Sequence, residues 1–169
     1  MRNSRLLPKT IFLLCLLPAL IYNPLSARLF TLTTAWLTKV DLPIFYRLIK
    51  AESSFRSLAY SHQKAIGLGQ MKRSTYQYIM PEQPQFLIWF PPSNLLASAR
   101  YLQYLTQKYR GNWSLAVAAY NWGETNVDKR LAQVSVNAEI DYREKFLDIP
   151  ETDAFLDKVL GKKMEKNYE

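Results

Sequence analysis

A single cysteine, Cys15, and a single histidine, His62, stand in this chain of 169 residues. Two such ligands cannot assemble the clusters that hold zinc, copper or iron–sulfur centres, and one cysteine cannot close an internal disulfide. No metal, no cofactor and no disulfide scaffold is therefore expected. The longest apolar run, Ile11–Ile21, spans 11 residues and is interrupted by Pro18, short of the roughly 20 residues that a membrane helix needs. No segment alternates long enough to propose a strand, and no internal repeat or low-complexity stretch is visible. What remains is 49% hydrophobic, 21% charged and 14% aromatic, which suits one packed domain and excludes disorder. Twenty-two Lys and Arg against 14 acids give a net charge of +8. That balance attracts an anionic surface, with nucleic acid, anionic lipid and acidic wall polymer as the classes to weigh.

The amino terminus narrows these classes. Arg2, Arg5 and Lys9 precede the apolar run with no acid among them, the pattern of a secretory signal. Residues 1–27 are read as a signal peptide or an N-terminal membrane anchor, and residues 28–169 as the working domain. Ala27 offers the small residue for cleavage, although Leu25 two positions earlier fits poorly. Phe12, Leu13 and Leu14 before Cys15 lack the small residues of a lipidation site, so Cys15 reads as one more hydrophobe. Removing residues 1–27 leaves about +5 on the remainder, and a nucleic-acid partner is not expected for an exported protein of that charge.

The rest reads as helices. Asp41 followed by Pro43 is a helix start, and Phe45, Leu48 and Ile49 then lead at helical spacing to Glu52. Ser74 reads as a second start, with Thr75 to Met80 behind it. Residues 81–92, with four prolines, read as a surface loop that tucks its aromatics inward. Ser93 reads as the cap of a long helix ending at Gly111, and Asn112 as the cap of an apolar helix from Trp113 to Trp122, stopped by Gly123. A further helix is expected from Glu124 to about Gln133. A last one is expected from Pro150, with Glu151 and Asp153 in its first turn and Lys162, Lys163 and Lys166 near its end, charges that suit the helix dipole.

Three segments in register resemble a known family. Ala51-Glu52-Ser53-Ser54-Phe55, Ala59-Tyr60-Ser61 and Ala65-Ile66-Gly67-Leu68-Gly69-Gln70 are similar to the first signature of the soluble-lytic-transglycosylase-type domain. Ala118-Ala119-Tyr120-Asn121-Trp122-Gly123 resembles its Ala-Tyr-Asn-x-Gly segment, and Pro150-Glu151-Thr152 with Val159 its closing helix. The resemblance spans roughly residues 41–161. It implies an all-α, lysozyme-like fold and a partner in the glycan strands of peptidoglycan, cut between N-acetylmuramic acid and N-acetylglucosamine. An inner-membrane tether and a cell-envelope secretion machine are partners it leaves open.

The resemblance singles out Glu52 as general acid and base. Protonating a glycosidic oxygen needs an acid that keeps its proton near neutral pH, whereas free glutamate titrates at about 4.3. Glu52 follows Phe45, Leu48 and Ile49 on one helical face, close to the helix's carboxyl end. Desolvation and the helix dipole both favour the neutral acid there. A glycosidase ordinarily flanks the bond with two carboxylates, and among the three signatures only Glu151 is a second acid, for which a helix first turn is explanation enough. The resemblance implies a route with one carboxyl, in which the sugar's own acetamido group and C6 hydroxyl replace the second acid and water, giving a 1,6-anhydro end. A hydrolytic muramidase on the same fold and a non-catalytic glycan-binding protein of an envelope assembly are the alternatives.

Four residues at motif positions are expected to bind substrate. Ser61 is read as a donor to the acetamido group or as a turn hydroxyl bonded to its own backbone. Gln70 and Asn121 carry amides that grip sugar hydroxyls or a peptide carbonyl, and Tyr120 lines the cleft, either orienting Glu52 or simply buried with its hydroxyl satisfied. His62 reads as a loop residue, and Gly67 and Gly69 as points where the backbone approaches the sugar chain. Lys64 stands where the family commonly has glycine, Gly69 where it has methionine, Arg73 where it has proline and Phe155 where it has tyrosine. Those departures point to altered substrate preference or a slower enzyme.

Overall fold

The computed structural model describes residues 18–132 and 134–162. The cationic start, most of the apolar run, Cys15, Gln133, Lys163 and Lys166 lie outside the described residues. The fold is all-α, as expected, and is built from α1 (Pro24–Thr38), α2 (Leu42–Ser53), α3 (Arg73–Ile79), α4 (Pro91–Lys108), α5 (Trp113–Trp122), α6 (Glu124–Arg130) and α7 (Pro150–Leu160), with 3₁₀ turns at Gln85–Trp89 and Arg143–Phe146. Among the described residues, β pairing is confined to isolated bridges that tie Ile66 to Tyr60 and to Met71.

α5 is the centre of the domain. Ser114 to Ala119 are buried without interruption, so small alanines let α4, α6 and α7 approach from several sides. Such a helix, apolar nearly all round, is stable only when enclosed. α2 packs between α1 and α7 and commits Ile44, Phe45, Leu48 and Ile49 to the core, each buried side chain contributing about 1.5–3 kcal/mol by transfer from water. Its start is as expected, with the Asp41 carboxylate accepting from the Ile44 amide at 2.9 Å and proline in the first turn. Asn112 likewise caps α5, accepting from the Leu115 amide at 3.0 Å.

Several boundaries differ from expectation. α3 starts at Arg73 rather than behind Ser74, with Lys72 at its cap and no side-chain cap bond. α4 starts at Pro91, where a ring that fixes φ needs no amide donor. Ser93 is therefore inside the helix, and its hydroxyl pairs with the Tyr76 phenol at 2.6 Å. α4 ends at Lys108 and α6 at Arg130, before Gly111 and Gln133. In the proline-rich segment the aliphatic Ile88 is buried while Phe86 is exposed, so a 3₁₀ turn there sends an aromatic outward. α1 falls on residues for which no helix was expected. It crosses the expected boundary at residues 27 and 28, and Ala27 is buried.

Candidate active site

A cleft of about 810 Å³ lies where the carboxyl end of α2, the 59–72 loop, the end of α5 and the start of α7 converge. Glu52, Ser61, Gln70, Tyr120 and Asn121 all line it. Residues far apart in sequence meet here because α2, α5 and α7 share one core.

Glu52 is the penultimate residue of α2, one turn beyond the buried Leu48 and Ile49. Its carboxyl has no hydrogen bond or ion pair among the described residues, so nothing compensates the charged form for lost water. Burial above all, and the negative charge of Glu151 after it, push its pKa from 4.5 up to about 8. The carboxyl end of the helix dipole acts in the same direction.

The loop that forms one wall is held by a residue that sequence reading missed. Asn94, buried on α4, donates from Nδ2 to the carbonyls of Ile66 and Ile88 and accepts the Gly69 amide on Oδ1, all at 2.9 Å. An asparagine early in a helix that caps nothing is a poor local choice, and that misfit was the available signal. Gly67 has φ +76°, and a Cβ there would lie 2.5 Å from Asn94 Nδ2. At Gly69 a Cβ would lie 1.9 Å from Ser98 Oγ and 2.9 Å from the Tyr120 hydroxyl. Both glycines are buried, so they admit the loop's own packing partners rather than a sugar chain, which corrects that expectation. Lys64 has φ +62° in the position where the family commonly has glycine.

Tyr120 donates its hydroxyl to the Gly69 carbonyl at 2.8 Å. The phenol is committed to the loop rather than to Glu52, and burial together with the nearby Glu52 keeps its proton well above the ordinary range. Asn121 Oδ1 accepts from Thr152 Oγ1 at 2.9 Å, which turns its amide nitrogen into a fixed donor beside the cleft. Gln70 donates Nε2 to the Gly67 carbonyl at 2.9 Å, leaving its amide oxygen as the acceptor. Ser61 Oγ accepts the Ala65 amide at 3.0 Å, so the hydroxyl is a turn element whose own proton can still point to a ligand.

The structure adds cleft residues that carried no ligand role in the sequence reading. Glu151 lines the cleft from the first turn of α7, beside Thr152, Phe155 and Lys158. A helix-start explanation for Glu151 is thus incomplete, because its charge also acts on Glu52. His62 lines the opening as well, on the exposed loop where it was expected.

A helical domain whose α2, α5 and α7 converge on one polar cleft is of the lysozyme-like class. The Transglycosylase SLT domain model matches residues 32–142, more than half of the chain, and the protein belongs to that family. An Alteromonas sp. (strain M-1) protein named for tributyltin chloride resistance is 30% identical over 106 residues, 59% of this chain and 50% of its own length. A Haemophilus influenzae protein named as a soluble lytic murein transglycosylase is 31% identical over 99 residues, 56% of this chain and 17% of its own. The chain thus spans half or less of the curated relatives it matches. Among solved structures, an inactive mutant of lytic transglycosylase Slt from Pseudomonas aeruginosa superposes with TM-score 0.70 at 24% identity, covering 82% of this chain and 23% of that one. The 70-kDa soluble lytic transglycosylase of Escherichia coli superposes with TM-score 0.67 at 21% identity, over 82% and 23%. Likeness at that identity shows the shared fold.

Proposed function

We propose that the protein is a lytic transglycosylase that cleaves the β-1,4 bond from N-acetylmuramic acid to N-acetylglucosamine, with Glu52 as its single general acid and base. The observation that carries this reading is the position of the Glu52 carboxyl, without a hydrogen-bond partner among the described residues, at the wall of an 810 Å³ cleft, where burial pushes its pKa up to about 8. Glu52 donates its proton to the leaving O4 of N-acetylglucosamine as the C1–O4 bond breaks. The acetamido oxygen of the muramic acid stabilises the cationic C1. The Glu52 carboxylate then takes the proton of the C6 hydroxyl while O6 closes on C1, which restores the acid and leaves a 1,6-anhydro end without water. Ser61, Gln70, Tyr120 and Asn121 are the proposed substrate contacts, Tyr120 through its ring and its hold on the loop. A cationic, apolar amino terminus supports export to the periplasm or cell envelope, where this substrate lies. Among the described residues no helix is long and apolar enough to cross a membrane.

Glu151 supports a second reading, hydrolysis, because a second carboxylate can serve as base for water. Mass spectrometry of purified sacculi digested by the protein separates the two: anhydro products are one water lighter than reducing ends. Glu52→Gln is expected to lower the rate by about 10²–10⁴-fold, the usual worth of a general acid. Reducing-end products would establish the hydrolase, and no soluble products from the wild type would leave a glycan-binding protein.

A further inference from the structure

α1 is packed inside out. Its small residues Ala27, Thr31, Thr34 and Ala35 are the buried ones, whereas Leu25, Leu29, Leu32 and Trp36 are 66%, 53%, 38% and 76% exposed. At 100° per residue these four fall within about 60° of one another around the helix axis. They form a continuous ridge along its length. Single exposed leucines are ordinary, but an aligned ridge of large apolar groups marks a surface that has a partner.

We infer that this ridge lies in the surface of an anionic lipid bilayer. The first acid in the sequence is Asp41, and the 40 residues before it carry Arg2, Arg5, Lys9, Arg28 and Lys39. A segment of one charge sign repels its own copy and attracts anionic headgroups, which favours lipid over a second copy of the chain. In sequence the apolar run Ile11–Ile21 ends two residues short of Asn23, the cap of α1, so the ridge follows the most apolar part of the chain. A tryptophan on an apolar face among cations suits the headgroup boundary, where an indole places its ring in the acyl region and its N–H in the polar layer. Leu29, Leu32 and Trp36 all follow Ala27, so most of the ridge survives cleavage there. None of the four lines the cleft, and the inference stands apart from the glycan chemistry.

The test uses the full 169-residue chain and phosphatidylglycerol-containing vesicles with brominated acyl chains, which quench tryptophan at the boundary. Comparison of the wild type with Trp36→Phe isolates the Trp36 signal. Trp36 should be quenched, and Leu29→Gln/Leu32→Gln/Trp36→Gln should partition about tenfold more weakly or worse, with an unchanged circular dichroism spectrum and unchanged cleavage of soluble glycan fragments. Failure of the wild type to bind vesicles overturns the inference. So does a vesicle-bound chain with Trp36 unquenched, which would assign binding to the preceding residues alone. A vesicle-free dimer that the triple variant splits also overturns it, because the ridge would then be covered by a second copy.

Discussion

Glu52 and Glu151 face one cleft from two helices with opposite dipole ends, Glu52 at the carboxyl end of α2 and Glu151 in the first turn of α7. At Glu52 the negative helix end, the buried stripe below it and the charge of Glu151 act together against ionisation. Two residues of the same type thus have different surroundings within one cavity.

The pH dependence of activity follows from that contrast. In the proposed reaction Glu52 enters protonated, so kcat/KM on glycan strands should fall above about pH 8. A pH profile that already falls near pH 5 would mean that the half-buried Glu52 carboxyl is not the acid.

Stability should carry the same signature with a definite sign. Between pH 4.5 and about 8 the folded protein keeps a proton on Glu52 that the unfolded chain has released. The folded state binds more protons over that window, so its unfolding free energy falls as pH rises through it. Glu52→Gln removes the dependence. Thermal unfolding should show the variant equal to the wild type near pH 4 and more stable at pH 8, by on the order of 1–3 kcal/mol.

Glu151→Gln tests the second carboxylate. If its role is electrostatic, the variant remains active and the alkaline limb of the pH profile moves to lower pH, with most of the Glu52 elevation left in place because burial is the larger cause. If Glu151 is instead the base for a hydrolytic water, the rate collapses and reducing-end products vanish. Product masses and pH profiles of the same variant distinguish the two.

The cleft wall predicts its own mutants. Gly69→Ala would drive a methyl into Ser98 Oγ at 1.9 Å, and overpacking of this kind costs about 1–3 kcal/mol. Ser98→Gly in the same chain should recover part of the loss of melting temperature. A stability loss that Ser98→Gly leaves untouched would show that the contact is not its cause.

Lys64→Gly should work in the opposite direction. Lys64 is exposed with φ +62°, a conformation that costs a residue with a Cβ about 1 kcal/mol. Denaturant unfolding should show the glycine variant equal to or more stable than the wild type, by up to about 0.5 kcal/mol, since most of the gain is returned as entropy of the unfolded chain.

Caps and stops made parts of this fold legible from sequence, because they depend on neighbours a few residues away. Asp41 before α2 and Asn112 before α5 hold their helices by their own side chains, and Gly123 closes α5. Ser93 misled for the same local reason: a serine looks like a cap wherever it stands, and only the distant Tyr76 phenol decided what its hydroxyl binds. The outward Phe86 and the inward Ile88 likewise depend on what α3 and α4 leave open.

The sequence by itself determined the helical class, the motif positions and the apolar stripe that ends in Glu52, since periodicity and spacing are properties of a chain before it folds. Tertiary structure alone decided that Glu151 shares the cleft with Glu52, that Asn94 pins the loop, and that Tyr120 spends its hydroxyl on Gly69. Each of those relations joins residues 25 to 99 positions apart. Burial and electrostatics act through space, and that distance is set only when α2, α4, α5 and α7 close on one core.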